Sequence, residues 1–250
     1  MRNKICAGNW KLNKSPQETT EFIQALFQSV KPEWLPHYAL FPSTICLSTL
    51  GGMVNDSGLQ WGPQNVFTET EGAFTGETSV EVVSHLNATH VLIGHSERRT
   101  LFSESNEDIA KKVQLTQKFG MIPMVCVGET LKERDAGDTN KVLTQQLVEG
   151  LKLCSSQGDV VIAYEPVWAI GTGKVATPDI AEAAHKHIRE VLSQIWDEER
   201  AQSTSLLYGG SVKPDNAMEL SRKENIDGFL IGGASLNVDS FVQIGDLLLS

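Results

Sequence analysis

The segment Met121-Ile122-Pro123-Met124-Val125-Cys126-Val127 (MIPMVCV, 121–127) is apolar at every position. A strand that is buried on only one face of its sheet alternates apolar and polar residues, whereas a strand of a parallel sheet is buried on both faces and is apolar almost throughout. The segment therefore predicts a strand of a parallel sheet whose outer face is covered by helices.

Similar strand-like runs alternate with helical segments along the whole chain of 250 residues. The predicted strands are 4–9, 37–42, 59–63, 89–94, 121–127, 159–165, 204–208 and 226–231. The predicted helices are 16–30, 44–55, 79–86, 104–119, 138–153, 177–198, 214–222 and 238–249. This succession of strand-then-helix units favours an α/β fold, a closed (β/α)8 barrel with parallel strands and outer helices, in which residues 1–250 form a single domain. An open doubly wound sheet has the same alternation and is the alternative.

The predicted helix 177–198 has the signals of a helix in the outer layer of such a fold. Thr177 provides a capping hydroxyl, and Pro178 fits the first helical position. Apolar residues recur at helical spacing and predict one buried stripe, made of Ile180, Ala184, Ile188, Val191 and Ile195. We expect this stripe to pack on the sheet.

Composition favours a globular protein that does not enter a membrane. The chain is 40% apolar and 21% charged, and it has no run of about 18 apolar residues that could cross a bilayer. Its formal net charge of −10 disfavours nucleic acid as a partner, because phosphate backbones need clustered cations. The N-terminal residues show no signal-peptide pattern, so we expect a cytoplasmic location.

Disulfides and metal sites are not expected from the cysteines and histidines. The four cysteines lie far apart without a C-x-x-C motif: Cys6, Cys46, Cys126 and Cys154. Such cysteines are typically buried free thiols. The pair His185-x-His187 resembles a metal motif, but residues two apart on a helix point in different directions, so we expect solvated side chains there.

Chemically useful residues follow the ends of several predicted strands. In a parallel barrel all strands point the same way, and active-site groups gather at their carboxyl ends. The candidates are Asn9 and Lys11 after the first strand, His95 and Glu97 after the fourth, Glu165 after the sixth, Ser211 after the seventh, and Gly232 and Gly233 after the eighth. We expect these residues to converge on one face of the barrel.

Two glycine pairs, Gly209-Gly210 and Gly232-Gly233, indicate an anion site. Backbone N–H groups approach an anion closely where no Cβ intervenes, and phosphate sites in barrels often use the loops after the seventh and eighth strands. Each pair alone is better explained by a tight turn, but the two together favour phosphate binding. Glu165 ends an apolar run, and a carboxylate there needs a compensating partner or a function.

Ordinary explanations compete at single positions. Lys11 alone would be interpreted as a surface lysine, His95 alone as a core histidine, and Glu97 as a member of a surface ion-pair cluster with its arginine neighbours. The segment 171–176 fits the dinucleotide motif G-x-G-x-x-A, but that motif leaves its strand directly, and residues 166–170 intervene here. We therefore do not expect a dinucleotide site.

Five segments together resemble the signature sequences of the triosephosphate isomerase family, in that family's order. They are AGNWKLN (7–13), VLIGHSERR (91–99), AYEPVWAIGTGK (163–174), LLYGGSV (206–212) and GFLIGGASL (228–236). The resemblance runs from the first strand to the last helix and implies a TIM barrel. It also implies the interconversion of dihydroxyacetone phosphate and D-glyceraldehyde 3-phosphate through an enediolate, in glycolysis and gluconeogenesis, with neither cofactor nor metal.

The resemblance implies a role for each matching residue. Glu165 is then the base that moves a proton between two carbons, and His95 polarises the carbonyl as a neutral imidazole, a known arrangement in this family. Lys11 supplies positive charge near the enediolate with Asn9 beside it, and Glu97 pairs with Lys11. The N–H groups offered to the phosphate are those of Gly171, Ser211, Gly232 and Gly233.

The resemblance also implies a homodimer and a lid. The segment 65–77 is long for a connection in a barrel and contains two phenylalanines. In the resembled family this segment docks into the neighbouring subunit beside the residues equivalent to Lys11 and His95, with Thr75 at the contact. A mobile surface loop is the alternative for this segment. Residues 166–176 are expected to close over the bound phosphate.

Two other functions stay open at this point. The first is another phosphate-binding barrel enzyme, such as a Schiff-base aldolase or a sugar-phosphate epimerase or isomerase. An aldolase would need a lysine pointing into the barrel, whereas Lys11 follows the first strand and the sixth strand ends in Glu165. A catalytically silent scaffold or binding protein could keep the same fold. The intact set of Asn9, Lys11, His95 and Glu165 argues against the scaffold.

Overall fold

The computed structural model describes residues 2–169 and 176–250, and these residues form a ring of parallel strands surrounded by helices. The strands are β1 Ile5–Asn9, β2 Tyr38–Phe41, β3 Gln60–Trp61, β4 His90–Ile93, β5 Ile122–Val127, β6 Val161–Tyr164, β7 Ser205–Tyr208 and β8 Gly228–Ile231. Their hydrogen-bonded order is β3-β2-β1-β8-β7-β6-β5-β4, and every pair is parallel. The first and last strands are therefore neighbours, as in a barrel and unlike a doubly wound sheet.

Hydrogen bonds between β3 and β4 complete the ring. Thr89 N–H donates to the carbonyl oxygen of Trp61 at 2.9 Å, and Leu92 N–H donates to the carbonyl oxygen of Pro63 at 3.0 Å. A Cβ on Gly62 would lie 1.7 Å from the carbonyl oxygen of His90, so only glycine permits this close approach. The predicted (β/α)8 barrel is confirmed.

Helices cover the outside of the barrel. In the described residues they are α1 Pro16–Ser29, α2 Leu47–Val54, α3 Val80–Ser84, α4 Ser96–Leu101, α5 Asn106–Lys118, α6 Leu131–Asp135, α7 Thr139–Gly150, α8 Pro178–Ile195, α9 Glu198–Ser203, α10 Pro214–Ser221 and α11 Val238–Leu249. Every predicted helix is present, but the short helices α4, α6 and α9 were not predicted. No helix of residues 2–169 and 176–250 is long and apolar enough to cross a membrane.

Several predicted boundaries are wrong. The predicted helix 138–153 spans Thr139–Gly150, and the predicted strand 159–165 spans Val161–Tyr164. The predicted third strand, 59–63, is regular only at Gln60–Trp61, although Gly62 N–H still donates to the carbonyl oxygen of Leu40 at 3.1 Å. The predicted helix 177–198 ends at Ile195, and the separate helix α9 begins at Glu198.

The apolar core has two layers, one inside the barrel and one between the strands and the helices. The side chains inside the barrel are Ala7, Ala39, Phe41, Leu92, Met124, Cys126, Val161, Ala163, Leu207 and Leu230. Alternate residues of β5 belong to the two layers: Met124 and Cys126 lie inside, whereas Val125 and Val127 face the helices. Burial on both faces explains why this strand is apolar throughout.

Helix α8 shows how the outer layer is built. Thr177 accepts a hydrogen bond from Ile180 N–H at 3.3 Å and caps the helix, with Pro178 in the first turn. Within the predicted stripe, Ala184, Ile188 and Val191 are buried, whereas Ile180 and Ile195 are only partly buried. The stripe was therefore predicted in part.

The expectation of solvated histidines on α8 is wrong for His185, which is fully buried. Its Nδ1 lies 3.0 Å from the carbonyl oxygen of Asn225, which accounts for one ring nitrogen. His187 Nε2 instead lies 2.9 Å from the hydroxyl of Thr144. The cysteines are free thiols as expected, although Cys154 is only partly buried.

Candidate active site

A cavity of about 360 Å³ opens at the carboxyl ends of the strands and brings most of the predicted site residues together. Its walls include Asn9, Lys11, His95, Glu165, Gly209, Gly210, Ser211, Lys213, Leu230, Gly232 and Gly233. Glu97 lies next to this cavity, through its contact with Lys11. Gly171 lies outside the described residues.

Glu165 follows β6 directly, and its carboxylate is held by two groups from the β4 end. One oxygen, Oε2, accepts a hydrogen bond from Ser96 N–H at 2.8 Å, and Oε1 lies 2.8 Å from Nε2 of His95. The residue is 2% exposed, so these partners compensate for the burial of its charge. The backbone is anchored as well, because Glu165 N–H donates to the carbonyl oxygen of Val127 at 2.8 Å.

Gly209 makes room for the Glu165 side chain. A Cβ at position 209 would lie 2.9 Å from Cγ of Glu165 and 3.2 Å from the carbonyl oxygen of Tyr164. Both distances are shorter than an ordinary van der Waals contact. The first glycine of this pair therefore has a packing function at the carboxylate, in addition to the anion-binding function that the sequence suggested.

His95 lies at the N-terminus of α4 and is 6% exposed. Its Nδ1 accepts a hydrogen bond from Glu97 N–H at 3.2 Å. A ring nitrogen that accepts from a backbone N–H carries no proton itself, so this contact favours the tautomer with the proton on Nε2. That proton points to Glu165 and the cavity.

The pKa values of His95 and Glu165 are coupled. Burial lowers the pKa of His95, but the negative charge of Glu165 and the hydrogen bond to it raise this pKa by more, so the net shift is upward. Burial raises the pKa of Glu165, but His95, Ser96 N–H and Lys11 lower it by more, so the net shift is downward. Glu165 is therefore a carboxylate at neutral pH.

Lys11 reaches the same cavity from the end of β1 with an unusual backbone. Its φ angle is 51°, a conformation that residues with a side chain adopt rarely and that costs free energy. Asn9 Oδ1 accepts from Lys11 N–H at 3.0 Å, and Gln64 Nε2 donates to its carbonyl oxygen at 2.8 Å. The Nζ atom lies 2.5 Å from Oε1 of Glu97, so the expected pairing of these two residues is confirmed.

The two loops expected to bind phosphate line the same cavity. A Cβ at Gly233 would meet no atom of the described residues within 4 Å, and one at Gly232 would meet only Cε of Lys11, at 3.6 Å. No other described residue fills the space beside this pair. On the other loop, Asn216 Nδ2 donates to the carbonyl oxygen of Ser211 at 3.0 Å and fixes the backbone there.

A second cavity, of about 490 Å³, adjoins the first and shares Asn9, Lys11 and His95 with it. Large apolar side chains on its wall are unusually exposed: Leu12 is 95% exposed, Leu101 72% and Phe102 65%. An exposed apolar patch beside a cavity indicates a surface for a partner.

The segment 65–77 folds onto itself and leaves its tip exposed. Phe67 N–H donates to the carbonyl oxygen of Thr78 at 2.9 Å, and the rings of Phe67 and Phe74 lie 4.4 Å apart. Residues 71–77 are all exposed, among them Thr75. The segment is therefore a compact loop with an ordered base.

Sequence reasoning missed three groups that act on the predicted residues. The N–H of Ser96 binds Glu165, the side chain of Asn216 fixes the loop of Ser211, and Lys213 lines the cavity mouth. Asn216 lies two residues after Pro214, in the first turn of a helix, which is a position where amides cap backbone groups. That signal was present in the sequence, whereas the contact of Ser96 depends on how β4 and β6 are placed.

Comparisons with known proteins agree with this geometry. The family model described as triosephosphate isomerase matches residues 4–248. A triosephosphate isomerase of Pediococcus pentosaceus is 44% identical over 246 residues, covering 98% of this chain and 98% of that protein. Proteins of the same name are 45% identical in Bdellovibrio bacteriovorus, covering 98% of this chain and 99% of that protein, and 46% identical in Citrifermentans bemidjiense, covering 98% of both.

Fold and cavity together define an enzyme of the (β/α)8-barrel class, with polar groups gathered at the carboxyl ends of its strands. Within this class, the chain belongs to the triosephosphate isomerase family. It is therefore an isomerase, and its reaction is the interconversion of dihydroxyacetone phosphate and glyceraldehyde 3-phosphate, a step of glycolysis.

Proposed function

We propose that Glu165 is the base that moves the proton in this isomerisation. The observation that supports it best is the buried contact between Glu165 and His95 on the wall of one cavity. Glu165 takes the proton from the carbon next to the carbonyl, the electrons of that C–H bond form a C=C bond, and the carbonyl oxygen becomes negative. The oxygen of the former carbonyl then gains the proton that the hydroxyl on the neighbouring carbon gives up, and Glu165 returns its proton to the former carbonyl carbon. The C=C electrons form the new C–H bond, the neighbouring oxygen becomes the new carbonyl, and ketose is converted into aldose.

His95 is proposed to stabilise the oxygen of the enediolate through its Nε2 proton. The hydrogen bond from Glu97 N–H to Nδ1 opposes a second proton on the ring. When Glu165 accepts a proton from substrate, its negative charge disappears, and with it the largest contribution that raises the pKa of His95. Burial and Lys11 then keep the pKa of His95 low, so the ring donates as a neutral imidazole.

Lys11 is proposed to place positive charge beside the enediolate, with Asn9 next to it. The strained backbone of Lys11 is held by Asn9 and Gln64, which supports a function for this conformation. Glu97 is 44% exposed and contacts Nζ of Lys11. We propose that Glu97 holds the ammonium group at the cavity and takes part in the catalytic set through Lys11.

The phosphate of the substrate is proposed to bind N–H groups of two loops, at Ser211 and at Gly232 and Gly233. Support comes from the space beside Gly232 and Gly233, which described residues leave unfilled apart from Lys11, and from the backbone at Ser211, which Asn216 holds in place. Backbone amides suit a dianion because they bring partial positive charge without a protonation equilibrium. Gly171 keeps its proposed role in phosphate binding from the family resemblance alone.

A homodimer is proposed in which the loop 65–77 of each subunit occupies the second cavity of the other. The exposed Leu12, Leu101 and Phe102 on that cavity would be covered by this contact. Thr75 and Phe74, which is 42% exposed, provide the matching exposed tip. The same chain offers loop and cavity, so a two-fold dimer satisfies both contacts at once.

Charge does not select this assembly. The wall of the second cavity carries Lys11 and Arg98 but also Glu77 and Glu97, so its charges balance. The exposed apolar side chains therefore carry the proposal. Because that cavity shares Asn9, Lys11 and His95 with the first cavity, docking of the loop would also stabilise the catalytic residues.

We further propose that residues 1–250 act as one domain and that the protein works in the cytoplasm. Strands from both ends of the sequence pair with each other, since Ile5 is in register with Gly228. The cytoplasmic location follows from the composition and from the glycolytic reaction.

A coupled assay tests the proposed function. The purified protein should convert glyceraldehyde 3-phosphate to dihydroxyacetone phosphate in the presence of a chelator, because no step needs a metal. Absence of activity would contradict the proposal, and activity abolished by the chelator would require a metal-dependent mechanism. Borohydride treatment with dihydroxyacetone phosphate should leave the protein mass unchanged, whereas a reduced adduct would indicate a Schiff-base aldolase.

A further inference from the structure

We propose that Lys213 attracts and orients the dianionic substrate at the mouth of the active site, an inference that rests on the proposed phosphate binding in this cavity. Lys213 lines the cavity together with the residues of the two phosphate loops. Its side chain is exposed, and it forms no ion pair with any residue in the ranges 2–169 and 176–250.

The backbone of Lys213 is fixed, so its side chain starts from a defined place. Its N–H donates to Oδ1 of Asn216 at 2.8 Å. Its carbonyl oxygen accepts from Asn216 N–H at 3.1 Å and from Ala217 N–H at 3.0 Å. The side chain of Asn216 also donates to the carbonyl oxygen of Ser211, so one residue fixes the backbone at both Lys213 and Ser211.

The other charges of the site give a dianion no net attraction. Lys11 is paired with Glu97 at 2.5 Å, so these two charges largely cancel at a distance. Glu165 is a buried carboxylate, and the formal net charge of the chain is −10. Among the described residues that line the cavity, Lys213 is therefore the one whose positive charge is not neutralised by a neighbour.

Long-range attraction increases the rate of encounter more than it changes the chemistry. A charge at the rim of a site increases the association rate of an oppositely charged ligand, and salt weakens this effect. A unit charge and a dianion about 8 Å apart in water attract each other strongly enough to change kcat/KM about fivefold. The screening length falls from about 30 Å at 0.01 M salt to about 8 Å at 0.15 M, so the effect should shrink over that range.

The test compares Lys213→Met, Lys213→Arg and Lys152→Met in the full-length protein. Lys152 is exposed and lines no described wall of either cavity, so Lys152→Met changes the net charge equally at another place. We expect Lys213→Met to lower kcat/KM about fivefold at 0.01 M salt and less at 0.15 M, with kcat within about twofold of the parent. Lys213→Arg and Lys152→Met should match the parent.

Competition by inorganic sulfate provides a second measurement on the same variants. Lys213→Met should weaken inhibition by this dianion, and Lys152→Met should not. Parental kcat/KM of Lys213→Met at low salt would overturn the inference, as would a loss of kcat that Lys213→Arg does not restore. An inactive parent protein would instead contradict the proposed function itself, so the two failures are distinguishable.

Discussion

The carboxylate of Glu165 and the imidazole of His95 lie 2.8 Å apart, Oε1 to Nε2, and both side chains are almost fully buried. The two groups proposed to take a proton and to stabilise the resulting oxyanion therefore hold each other in position before substrate arrives. Each is fixed by a further backbone N–H, from Ser96 to Glu165 and from Glu97 to His95. Most of the orientation needed for the reaction is built into the fold.

Gly209→Ala should lower kcat because its Cβ would lie 2.9 Å from Cγ of Glu165 and displace the carboxylate. Displacement on the order of 1 Å can cost up to about a hundredfold in rate, so we expect a loss of about tenfold or more with the fold intact. Steady-state kinetics and circular dichroism provide the measurement. Gly52→Ala is the matched control, since its Cβ meets no described atom within 4 Å, and it should keep parental kcat. Equal rates for the two variants would contradict the packing function of Gly209.

His95→Gln should slow turnover by about a hundredfold or more, because it removes the donor facing the enediolate oxygen. The loss should appear in kcat, with a smaller change in KM. His37→Gln, at the N-terminal end of β2, is the control and should retain parental kcat. If His95→Gln lost affinity alone, the residue would be a binding group and not part of the chemistry.

Thr75→Arg should shift the protein from dimer to monomer, because a long charged side chain at the loop tip cannot enter the second cavity. Sedimentation velocity at micromolar concentration measures the assembly, and the monomer should have reduced kcat because Lys11 and His95 line that cavity. Thr68→Arg, within the same loop but outside the exposed tip, provides the comparison. A parent protein that sediments as a fully active monomer would rule out the proposed dimer.

Stability should fall as the pH is lowered from about 6.5 to about 4, since burial lowers the pKa of His90 and of His185 to about 4 in the folded protein. In this window the unfolded chain, with a histidine pKa of about 6.5, binds protons that the folded protein excludes. Each histidine should therefore cost about 1.4 kcal/mol of unfolding free energy between pH 7.5 and pH 5.5.

Urea unfolding at those two pH values, at one protein concentration, measures the effect. His90→Gln removes one of the two groups, so its stability should change by about 1.4 kcal/mol less than that of the parent. The upward shift of the pKa of His95 acts in the opposite direction but is present in both proteins. The same pH dependence in parent and variant would contradict the assignment to His90.

The longer strands and helices were predictable because their pattern of apolar residues repeats along the element. The strand β5 is apolar on both faces, and α1 carries its capping box in the sequence, with Ser15 and Glu18 bonded to each other's backbone N–H. The short helix α4 was not predicted, because six residues are too few for a helical period to be recognised. It nevertheless holds the Glu97 N–H that fixes the tautomer of His95.

Contacts between distant segments could not be predicted from patterns. His185 was expected in solvent, yet the fold buries it, and the carbonyl oxygen of Asn225 compensates at Nδ1. Arg189, one turn further along, is also buried and is compensated by Asn225 and Asp227. The packing of Gly209 against Glu165 is another such contact, because the two residues follow neighbouring strands that are far apart in the sequence.

The central claim, that Glu165 transfers the proton, is tested most directly by isomerisation in D2O with the parent protein and Glu165→Gln. A proton held on a carboxylate exchanges with solvent, so the parent should form product with deuterium on the carbon next to the carbonyl. Glu165→Gln lacks the base and should lose about a thousandfold or more in kcat while remaining folded. Near-parental turnover by Glu165→Gln would contradict the account.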